Sequence, residues 1–143
     1  MARKVFSMSC NSAIYTVNSS NQVVTTTAGS FVTIPLGSVI RRFGRNLGLD
    51  GGSIVACGSG YFDCEASISL TPTAAGPITV QLFQDGVAVP GALATATGVA
   101  ATTIALPITA LVRNCGCECN STLSVRVNAP CTVNNLALVV EKI

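Results

Sequence analysis

Strict two-residue alternation is the strongest pattern in the chain. Over residues 61–70, Phe62, Cys64, Ala66, Ile68 and Leu70 fall on one side and Asp63, Glu65, Ser67 and Ser69 on the other, the signature of a half-buried antiparallel strand. Thr71-Pro72-Thr73 and Gly76-Pro77 then break the chain, and Ile78-Thr79-Val80-Gln81-Leu82 alternates again. Asp85-Gly86 follows, and since both central residues of a type I′ turn need positive φ, this pair predicts a hairpin. Val87-Ala88-Val89, a turn at Pro90-Gly91, residues 104–112, Leu123-Ser124-Val125-Arg126-Val127 and a closing run over 133–142 supply further strands. About eight to ten short strands with this spacing predict an antiparallel sandwich or barrel. Helical periodicity is nearly absent.

Residues 1–30 read differently. Asn18-Ser19-Ser20-Asn21-Gln22 and Val23-Val24-Thr25-Thr26-Thr27 have β-branched character but weak turn punctuation, which predicts an extended arm with one strand, docking on a partner. The sandwich domain is placed at 31–143. The chain is read as made without an export leader, because Met1-Ala2-Arg3-Lys4-Val5-Phe6 starts basic but no apolar run follows. Residues 86–112 carry no charge, yet their Ala, Thr and Gly content and Pro107 argue against a membrane helix.

Composition changes the picture in two ways. Of 143 residues, 49% are hydrophobic and only 10% charged, so eight basic and six acidic groups must serve a folded surface of about 6,900 Å². A surface so poor in charge is expected to be covered by neighbouring subunits, with Ser, Thr and Asn solvating the rest. Second, the chain has no histidine and no tryptophan. That removes Ser-His-Asp and Cys-His machinery, imidazole metal ligands and the base that would activate a thiol. The expectation is a protein that is not an enzyme and needs no cofactor. A net charge of +2 and few aromatics give no footprint for nucleic acid.

Two clusters carry the remaining chemistry. Cys115, Cys117 and Cys119 would present three sulfurs on one side of an extended segment, but their spacing is not that of a zinc site, so they are a minor metal candidate beside the reading as free thiols. Cys64 is expected as a small apolar core residue. Arg41, Arg42 and Arg45 gather three of the eight cations within five residues, read as a loop between strands. With Arg3 and Lys4 they are the candidate partner-binding residues, suited to an acidic surface.

A family resemblance sharpens the fold. Gly58-Ser59-Gly60-Tyr61-Phe62 leading into the alternating strand, followed by the hairpin through Asp85-Gly86, resembles the Gly-x-Tyr strand of jelly-roll heads related to tumour necrosis factor. Residues 35–143, through Val89-Pro90-Gly91 to Val139-Val140-Glu141-Lys142, further resemble small virion proteins of tailed phages of gut Firmicutes. The resemblance implies an all-β jelly-roll sandwich and a homotrimeric structural protein, made in the host cytoplasm, that decorates the capsid exterior by binding the major capsid protein. A fibre or tail head reading host carbohydrate is the alternative, less well served by a chain with no Trp for sugar stacking.

Overall fold

A computed structural model describes residues 12–114 and 120–143. Among them lie twelve strands and no helix: β1 Ser12–Asn18, β2 Gln22–Val24, β3 Val32–Ile34, β4 Ser38–Phe43, β5 Leu47–Asp50, β6 Ser53–Cys57, β7 Gly60–Pro72, β8 Gly76–Gln84, β9 Val87–Gly98, β10 Ile104–Asn114, β11 Asn120–Val127 and β12 Cys131–Lys142. They form two antiparallel sheets packed as a jelly-roll sandwich. One sheet runs β10-β7-β12-β1-β4, the other β5-β6-β11-β8-β9.

Two long strands explain why the count exceeds the sequence expectation. Along one edge of β12, β1 pairs from Lys142 to Leu136 and β2 continues from Val133 to Cys131. Along β11, β6 pairs with residues 120–123 and β3 with 125–127. Two strands end to end thus run along one long one, and the three-residue pieces β2 and β3 are too brief to show alternation.

The core is the inward side of the predicted alternation. Phe62, Ile68 and Leu70 are wholly buried, with Cys64 and Ala66 beside them, against Leu136, Leu138 and Val140 of β12 and Ile54, Leu82 and Leu123 of the second sheet. Asp85 and Gly86 take the predicted positive φ of 53° and 79°, and Asp85 is tied to β11 by hydrogen bonds with Thr122 of 2.8 and 2.9 Å.

Two expectations are corrected. Residues 12–24 are not a peripheral arm: β1 lies between β12 and β4, and Ile14 is in the core. Its alternation is hidden because Ser12, Thr16 and Asn18 take inward positions that a hydrophobicity pattern assigns to the surface. Pro90-Gly91 does not divide two strands but sits within β9, near a register shift opposite residues 81–83 of β8. The uncharged stretch over 86–112 forms β9 and β10, with Ala92-Leu93-Ala94-Thr95-Ala96-Thr97 in regular pairing with β8. No helix among the described residues is long and apolar enough to cross a membrane.

Candidate interaction face

Each sheet has an outward side, and the two differ in chemistry. Cross-strand partners share a face, so the register of the β4-bearing sheet can be read as rows. One row runs Phe43, Ala13, Glu141, Asp63, Leu111; the next runs Arg41, Tyr15, Val139, Glu65, Thr109; a third runs Ser38, Val17, Ala137, Ser67, Pro107. Apart from Glu141 on the central strand, the middle of this face is mostly apolar: Ala13, Tyr15 and Val17 on β1, Ala137 and Val139 on β12. Its charges lie apart: Arg41 on edge strand β4, and Asp63, Glu65 and Glu141 on β7 and β12. Among the described residues none of these four is in an ion pair.

Large apolar side chains are left in water at both margins. Phe43 is 59% exposed on β4, and Leu111 and Tyr61 are 58% and 48% exposed on β10 and β7. Val39 and Ile40 of β4 are exposed as well. The outward side of the other sheet is quieter. Thr79 and Thr95 share a hydrogen bond of 2.9 Å, the Gln81 amide donates to the Val89 carbonyl, and Arg126 stacks 4.5 Å over Phe83, which also contacts Phe31.

The arginines expected on a loop sit on a strand and its turn. Every residue of β4 is exposed. Arg42 faces the side of Ile14, its β1 partner, and its Nε donates to the Leu47 carbonyl at 2.7 Å, bracing β4 against β5. Arg41 faces the opposite side, beside Tyr15. Arg45 projects from the β4–β5 turn. That turn is pinned by Asn46, whose amide donates to the Cys57 carbonyl at 2.9 Å and whose backbone N–H donates to the Ser12 hydroxyl. Asn114 continues the network with donations to the Ala56 and Gly58 carbonyls. Arg3, Lys4, Cys115, Cys117 and Cys119 lie outside the described residues.

The described cysteines are free thiols. Burial, reinforced by the Asp63 charge, pushes Cys64 from its ordinary 9.0 up to about 12, and burial pushes Cys131 to about 11. Neither is a nucleophile at neutral pH.

Alternation pointed to Asp63 and Glu65 as outward residues, but sequence reasoning missed their partners on the face. Tyr15, Val139 and Phe43 lie far away in sequence, and only strand order brings them together.

No protein-family model matches the chain, and no curated protein matches it in sequence. Its similarity is structural. Murine APRIL superposes with a TM-score of 0.71 at 8% identity, over 93% of this chain and 99% of that one. The fold is a TNF-like jelly roll. The same TNF-like arrangement recurs in Eiger TNF from S. frugiperda, with a TM-score of 0.65 at 10% identity over 92% of this chain and 91% of that one. It recurs also in the vertex protein P5 of phage PRD1, with a TM-score of 0.59 at 10% identity, covering 92% of this chain and 72% of that one.

Proposed function

We propose that this TNF-like chain is a structural protein of a phage virion, assembling as homotrimers that decorate the outside of the capsid and stabilise it. The observation that carries the reading is the face of the β4-bearing sheet, where Ala13, Tyr15, Val17, Ala137 and Val139 form apolar patches and Phe43 and Leu111 stand exposed at its margins, on a fold shared with a phage vertex protein. Removing this face from water between copies supplies the drive to assemble. The partners are other copies of the chain and the major capsid protein, with neither nucleic acid nor membrane required. The role is read as non-enzymatic, since a chain without histidine has no side chain whose unperturbed pKa lies near neutral pH.

The mechanism is mechanical. A trimer resting over a junction of capsid subunits binds several at once, so weak single contacts sum to firm attachment, and a ligand that binds only the assembled shell stabilises it by mass action. Arg3, Lys4 and Arg45 are assigned to anchoring on acidic capsid surface. Mixing purified protein with shells lacking it, then pelleting, tests this. The protein should co-pellet at a fixed ratio, and Arg3→Glu, Lys4→Glu and Arg45→Glu together should release it. Absence from the pellet at saturating concentration would contradict capsid decoration.

A further inference from the structure

We propose that the contact between copies is heterologous and charge-registered, with Arg41 on the β4 edge of one copy seated against Glu65 and Asp63 of the next. Three observations converge on it. Asp63 and Glu141 stand directly opposite each other on β7 and β12, with Glu65 two residues along the same face. Like charges so placed repel, and cost the isolated chain stability. The nearby Arg113 lies over the Tyr61 ring at 6.0 Å, and among the described residues no ion pair neutralises the three carboxylates. A cation from outside the chain answers this need.

Arg41 is that cation in the right row and at the wrong distance. It shares a row with Glu65, but β1 and β12 intervene, and three strand spacings are roughly 14 Å. The two charges therefore cannot meet within one chain. They can meet between copies, when the β4 edge of one copy approaches the β7 and β10 side of the next. The same approach brings Phe43, next but one to Arg41, towards Leu111, and both are apolar and exposed.

Because the two patches are different surfaces, the contact is heterologous, and a heterologous contact that closes generates a ring. Burying an ion pair among apolar neighbours fixes register and excludes misaligned assemblies. This contact presupposes the homotrimer proposed above.

A charge-reversal cycle read by sedimentation equilibrium separates the two claims. Wild type should be trimeric, Arg41→Glu and Glu65→Arg should each weaken association at least about 30-fold, and the double variant should recover most of the loss. Both residues are exposed, so far-UV circular dichroism should be unchanged. Arg41→Gln and Glu65→Gln repeat the test if a reversal fails to fold, each again weakening the trimer. A trimeric wild type whose single variants associate normally, or whose double variant does not recover, overturns the pairing and leaves the trimer standing. A monomeric wild type overturns both.

Discussion

Cys64 shows how much one inward position carries. Its thiol stays protonated in the folded chain up to about pH 12, whereas in the unfolded chain it ionises near its ordinary 9.0. Above that lower value the unfolded state has lost a proton that the folded state keeps, so stability falls as pH rises from 9.0 towards 12. Below pH 9.0 this contribution is fully present. Thermal unfolding should show a midpoint that drops through this alkaline window, with a shallower drop in Cys64→Ala; an identical slope in the variant would contradict the assignment. Gly37 carries a different load. It has φ +83° just before β4, and an added Cβ would come within 2.8 Å of the Asn18 Cα. Gly37→Ala should cost about 1–3 kcal/mol in a urea titration, through backbone strain and the clash together. Wild-type stability would show that the β1–β4 junction is softer than described. At this scale the sequence was legible where polarity and burial agree, as along β7. It was illegible at Ser12, Thr16 and Asn114, whose buried polar groups are settled by partners remote in sequence.

Elements were legible in proportion to their length and alternation. β7, β8, β11 and β12 each carry several inward aliphatic residues in period two and were found where expected. β9 is largely Ala and Thr, with too little contrast between its sides to show a period, so its extent is set by pairing with β8. β1 is the instructive case. Its inward side alternates Ser12, Ile14, Thr16 and Asn18, one aliphatic in four, yet it bridges β12 and β4. Deleting residues 2–20 would open the ladders on both sides and remove Ile14 from the core. That truncation should lose its β-sheet circular dichroism or aggregate, because two paired edges become free at once. A soluble, folded product would contradict the central place given to β1.

For the whole molecule, the sequence indicated a sandwich and a surface short of charge, but not where the few charges stand. Arg41 and Glu65 are adjacent to nothing in sequence that links them, and their shared row exists only once β4, β1, β12 and β7 are laid side by side. The two outward faces differ: one sheet carries hydroxyl and amide pairs beside exposed Val87 and Leu93 of β9, and the other a mostly apolar middle with Arg41 on its β4 edge and the carboxylates Asp63, Glu65 and Glu141 on β7 and β12. A face of that second kind is stable in water when another copy covers it. Sedimentation equilibrium across a range of concentrations tests this most directly. A particle of about three times the 14.5 kDa chain mass, loosened by added salt, is expected; a single 14.5 kDa species persisting at high concentration would overturn the trimer.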